Sequence, residues 1–132
     1  MRSLADSISF KQAAEFKADS IVEVDLSTNE LDNVEALDVF PNLESLILDH
    51  NKLESLISFP YLTKLETLSL SHNGMEEIDT FLLNASQKFP GLKHLNVMKN
   101  PMNPESGSKY AEFRAAVKMW MPALLTLDTK SF

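Results

Sequence analysis

The 132-residue chain has no cysteine. That removes disulfides, thiolate nucleophiles and cysteine-ligated metals, and it fits a reducing compartment. Glycine is scarce, with three residues in all, and none sits in a phosphate-cradling loop. No apolar run approaches the roughly 18 residues that signal a membrane-spanning helix. The opening MRSLADSISFK holds only short apolar stretches and lacks a signal-peptide core. Cations are outnumbered, 12 Lys and Arg against 19 Asp and Glu, for a net charge of −7. Sequence-independent nucleic-acid binding needs cations to neutralise phosphates, so direct nucleic-acid contact is not expected. What remains, 44% hydrophobic and 23% charged residues, is the composition of a globular domain large enough for its own core.

Within it one phrase recurs. Residues 43–53 read LESLILDHNKL and residues 65–75 read LETLSLSHNGM. Residues 21–31, IVEVDLSTNEL, and 92–102, LKHLNVMKNPM, repeat the pattern. Apolar residues hold positions one, four, six and eleven, with asparagine at nine: Asn29, Asn51, Asn73 and Asn100. This resembles the leucine-rich repeat. Positions three to five predict a short strand in each copy. Side chains alternate along a strand, so Val24 and Leu26, Leu46 and Leu48, Leu68 and Leu70, and Leu95 and Val97 are expected to stack inward. After each strand the chain turns and carries backbone polar groups into the interior, where they need partners. An amide side chain both donates and accepts, so the four asparagines are expected to form an interior structural ladder.

The expected fold is an α/β leucine-rich-repeat solenoid, a right-handed βα superhelix. It has a short parallel concave sheet, mostly 3₁₀ convex turns, and helical caps at both ends. One domain spans residues 1–132, with an N-terminal cap (1–20), four repeats (21–103) and a C-terminal cap (104–132). In the N-terminal cap, Ser9 and Gln12 suit a capping box, with Phe10, Ala13, Ala14 and Phe16 supplying an apolar side. Repeats of 22 residues leave no room for long convex helices, so short 3₁₀ turns are expected. Phe40–Pro41, Phe59–Pro60 and Phe89–Pro90 close them, since proline disfavours helix in the residue before it. The longer third repeat places Ile78, Phe81, Leu82, Ala85 and Phe89 on one face of a helix over about 80–88, with Asp79 or Thr80 as its cap. A last helix carries Tyr110, Phe113, Val117, Trp120 and Met121 on one face, which makes Trp120 a structural residue of the cap core. Leu124 and Leu127 then face inward from a final strand-like piece.

The 22-residue repeats resemble the SDS22-like class. The tail resembles the cap of that class: Asn100 and Pro101, then Tyr110, Arg114 and Val117 on a helix, then Pro122, Leu124, Leu127 and Asp128. Such caps occur in the dynein light chain 1 family, in U2A′-like proteins and in acidic nuclear phosphoproteins. The lengthened third repeat is similar to the leucine-rich melanocyte differentiation-associated family. That likeness implies a part in intracellular traffic with a Rab-type small GTPase. The broader one implies a scaffold subunit of a ribonucleoprotein, dynein or phosphatase complex.

The outward strand positions define the candidate site. Along the concave face run Glu23, Ser45, Thr67 and His94, then Asp25, Ile47, Ser69 and Asn96, then Ser27, Asp49, Ser71 and Met98, and last Thr28, His50, His72 and Lys99. Asp25, Ile47, Asp49, His50, Ser69, His72, His94, Asn96 and Met98 are the candidate partner-binding residues. Ile47 and Met98 are apolar where solvent is expected. His50 and His72 share a row about one strand spacing apart, ~4.8 Å. Two ligands do not make a metal site, so no metal and no cofactor are expected. A catalytic triad needs an enclosed site with an oxyanion hole, which a shallow sheet does not offer. The reading is therefore a non-catalytic module, monomeric by itself, that binds a protein partner on its concave surface in the cytoplasm or nucleus.

Overall fold

Each repeated phrase contributes one three-residue strand to a continuous sheet. The computed structural model describes residues 17–132 together with the backbone of Arg2–Ser3. The expected N-terminal helix, with Ser9 and Gln12, lies outside the described residues. The strands are β1 (Arg2–Ser3), β2 (Glu23–Asp25), β3 (Leu31–Asn33), β4 (Ser45–Ile47), β5 (Thr67–Ser69), β6 (His94–Asn96), β7 (Thr126–Leu127) and β8 (Lys130–Ser131). The helices are α1 (Ile78–Lys88) and α2 (Gly107–Trp120).

The main sheet runs β2-β4-β5-β6-β7-β8 and is parallel until its last pair, β7–β8, which is antiparallel. Val24, Leu46, Leu68, Leu95 and Leu127 align across five strands, so the inward leucines form one column of the core. Leu46, Leu48, Leu68, Leu70, Leu95 and Val97 are buried. Val24 and Leu26, in the first repeat, are only half-buried and pack on the edge of that core. A small second sheet pairs β1 with β3 in parallel, a contact that the sequence pattern did not suggest.

The asparagine spine is present and its hydrogen bonds run between repeats. Asn51 Oδ1 accepts from the N–H groups of Asn29 (3.0 Å) and Leu31 (2.9 Å). Its Nδ2 donates to the carbonyls of Leu26 and Leu48. Asn73 repeats this with Leu53 N–H, Leu48 O and Leu70 O. Asn100 does so with Met75 N–H, Leu70 O and Val97 O. Each amide thus satisfies groups that the turn has removed from the ladder.

The convex side is more varied than a run of 3₁₀ turns. Repeat one has a 3₁₀ turn at Glu35–Val39, repeat two has turns and bends, and repeat three has α1. The Phe–Pro pairs work as expected: Phe40, Phe59 and Phe89 are buried, and their N–H groups bond to Leu37, Leu56 and Ala85. Where repeat two lacks a helix, its carbonyls still need donors. Lys88, buried at the end of α1, supplies them through Nζ to Leu56 O (2.9 Å), Ile57 O (3.2 Å) and Phe59 O (2.7 Å). Burial pulls the pKa of Lys88 below the ordinary lysine value.

Two sequence expectations need correction here. Helix α1 begins at Ile78, two residues earlier than expected, with Glu77 at its N-cap and no side-chain cap bond. Asp79 and Thr80 therefore lie inside the first turn and cannot cap it. Trp120 is 44% exposed, whereas Tyr110, Phe113, Val117 and Met121 are buried. It sits at the last residue of α2, on the margin of the apolar arc, and lies over a groove with Phe89, Pro90 and Pro122. It is a surface residue of the cap, not part of its core.

Asp128 closes the stack. Its buried carboxylate accepts from Val97 N–H (2.8 Å), Asn103 Nδ2 (2.8 Å) and the Tyr110 hydroxyl (2.8 Å). Asp128 and Thr129 both adopt positive φ, 53° and 67°, the backbone of a two-residue hairpin turn. Burial, then the bond to Asp128, pushes the Tyr110 phenol above its ordinary value. Its folded pKa therefore exceeds its unfolded one, so its contribution is full below the unfolded value and is lost as pH rises through the folded value. Tyr110→Phe is expected to cost about 1.5 kcal/mol at neutral pH. It should also flatten the alkaline fall in stability above about pH 10, as read by urea midpoints across pH.

Candidate functional site

The concave surface is built by register. Pairing sets Glu23, Ser45, Thr67, His94 and Thr126 in one row, and Asp25, Ile47, Ser69 and Asn96 in the next. The backbone groups of these strands are engaged laterally, so the face offers side chains. Most are short.

The polar side chains are held by bonds along and across the repeats. Asp25 Oδ1 accepts from Ser27 N (3.0 Å) and Ser27 Oγ (2.7 Å). That hydroxyl and that amide hold the carboxyl of Asp25 below its usual range. Asp49 Oδ1 accepts from Ser69 Oγ (2.7 Å) and Ser71 N (2.9 Å). Repeat two is thus tied to repeat three, and Ser71 is drawn into burial. Asn96 Oδ1 accepts from Met98 N (3.1 Å), and His94 Nδ1 lies 2.9 Å from Thr126 Oγ1. Ile47 and Met98 are half-buried.

His50 and His72 lie elsewhere. Thr28, His50, His72 and Lys99 all have φ between 56° and 58°, a left-handed corner that ends each strand segment and turns the chain inward. They form the rim of the sheet instead of continuing its face. The two imidazoles stack there, with centroids 4.1 Å apart and planes 18° from parallel. Stacked rings direct their nitrogens alongside one another, not toward a common ion. Among the described residues, no group of three or more His, Asp or Glu could hold a metal.

Sequence reasoning missed the partners of two lysines at the C-terminal side. Glu105, from the loop before α2, accepts from Lys99 N (2.9 Å) and Lys99 Nζ (3.2 Å). These bonds, the backbone one first, lower the pKa of Glu105. Lys93 Nζ lies 2.9 Å from Glu66. The signal was a charge complement 6 residues away for Lys99 and one repeat away for Lys93. Neither is visible without the register. Exposed apolar side chains also occur off the concave face, with Ile57 at 82% and Met119 at 80%.

Residues 41–102 match the family model described as Leucine rich repeat. No curated protein matches the chain. The fold is similar to a chain of the Drosophila melanogaster SNF/U2A′ complex, with a TM-score of 0.63 and 20% identity. That similarity covers 88% of this chain and 64% of the other, so this chain spans less than two thirds of that relative's length. It is also similar to a chain of the Chaetomium Mex67:Mtr2 subunits, with a TM-score of 0.63, 20% identity and coverage of 92% and 90%. No helix among the described residues is long and apolar enough to cross a membrane.

Proposed function

We propose that this chain, a leucine-rich-repeat protein with a U2A′-like fold, is a non-catalytic adaptor that grips a protein partner on its concave face. The carrying observation is the set of outward rows: short polar side chains, fixed in place, around the half-buried Ile47 and Met98. Side chains on a solenoid's concave surface are its usual means of contact. Both similar chains come from two-protein assemblies, which favours the interaction reading without naming a partner.

In this reading the domain, capped at 1–20 and 104–132, works in the cytoplasm or nucleus. Its partner is a small GTPase of intracellular traffic. The second reading is a scaffold subunit of a ribonucleoprotein, favoured by the likeness to the SNF/U2A′ assembly; a dynein or phosphatase complex would use the same face. The identity of the captured protein separates them: a GTPase supports the first, an RNA-binding domain the second.

The Ile47→Glu/Met98→Glu double variant tests the face itself. Both positions are half-buried, Ile47 on β4 and Met98 in the turn just after β6, so folding is expected to survive. Capture of the partner from native extract should fall at least tenfold, a loss of about 1.4 kcal/mol or more. Undiminished capture by the folded double variant sinks the concave reading.

A further inference from the structure

We infer that the concave face receives an amphipathic helix of the partner, basic at the end that overlies β2 and β4. This rests on the interaction reading above and adds the chemistry of the partner. The strands already pair laterally with one another, so a peptide approaching this face cannot join the ladder. A helix satisfies its own backbone and presents only side chains. Ser45, Thr67 and Ser69 are short enough to let it come close. Ile47 and Met98 supply its apolar footing. They lie two strands apart and two residues offset along the chain, ~12 Å on the diagonal, which a helix covers in about eight residues, a spacing within one apolar face.

The charge on the face and along its margins is uneven. Lys93 and Lys99 are each paired with a glutamate of this chain, Glu66 and Glu105. Glu23, Asp25 and Asp49 are in no ion pair among the described residues. Among the described residues, Asp25 and Asp49 receive their internal hydrogen bonds on Oδ1 alone, which offers the second oxygen of each to an incoming donor. The uncompensated negative charge thus gathers at one end of the sheet. Lysine or arginine there would find both the charge and the acceptors it needs.

The test uses two synthetic helical peptides with the same apolar stripe. One carries Lys and Arg at one end, and the other carries Glu at those positions. Each is titrated into the full ¹⁵N-labelled chain. The basic peptide should shift the amides of Glu23, Asp25, Ile47 and Asp49, more strongly at low salt; the acidic one should not. Glu23→Gln/Asp25→Asn/Asp49→Asn keeps one carbonyl oxygen at each position, enough for the internal bonds from Ser27, Ser69 and Ser71, and removes the charge and the second acceptor oxygen. It should weaken the basic peptide about tenfold. Undiminished binding by that triple variant, or preference for the acidic peptide on the same amides, overturns the charge assignment and leaves the concave reading standing. Shifts confined to the convex side overturn both. No shift with either peptide overturns this inference alone, because the Ile47 and Met98 capture result decides the concave reading separately.

Discussion

Phe89→Ala is expected to lower stability by about 4 kcal/mol, the typical cost of removing a large aromatic and leaving part of its cavity open. Phe89 is 1% exposed and meets Phe59 edge-on, with ring centroids 5.8 Å apart. It also closes α1: its N–H bonds to Ala85 O, and its own carbonyl accepts from Leu92 N. The side chain therefore fixes the return of the longest repeat to the sheet. A domain of this size has only about 5–15 kcal/mol in total, so the variant should unfold at a much lower urea concentration with the same slope. Phe59→Ala should act similarly. The double variant should lose less than the sum, because the two rings share one contact. A loss under about 1 kcal/mol for Phe89→Ala would mean that this packing is not what holds the repeat.

Asn51→Ala should cost about 3 kcal/mol. The buried amide serves two N–H groups and at least two carbonyls in two successive turns. Alanine leaves them without partners, in a space too apolar for water to serve well, and each such group costs about 1–3 kcal/mol. The turns relax in part, so the total stays below the sum. Asn84 is the control: its amide donates to Thr80 O on the exposed side of α1, and Asn84→Ala should change stability by about 0.5 kcal/mol or less. Thermal midpoints compare the pair directly. Equal losses would remove the amide spine as the organiser of the turns.

Much of this architecture is written in the repeats. Alternation fixes the inward leucines and the outward rows, and register follows because slipping one residue would turn every leucine to solvent. The asparagine spine is legible because amides are the side chains that can both give and receive there. Other features depend on distance in sequence. Lys88 looks like a solvated helix residue until its acceptors, about 30 positions earlier, are brought beneath it. The left-handed corners carry Thr, His, His and Lys where glycine would have announced them. Trp120 shares the helical spacing of buried neighbours, yet the helix ends before the core can cover it. Within the candidate site, the rows were readable. The tie of Asp49 to Ser69 and Ser71, and of His94 to Thr126, was not, because those bonds cross from one repeat to another.

The reversed strand β8 has a consequence for how such a chain can lengthen. A parallel stack can grow by one more coil at any open end, and identical copies could dock there into a fibre. Here the last strand runs backward and places Lys130 at the margin, so a further parallel coil finds no matching template at that end. Extra coils could enter only within the array, ahead of the Asp128 turn. The antiparallel strand thus guards the C-terminal edge of the stack against docking by a second copy.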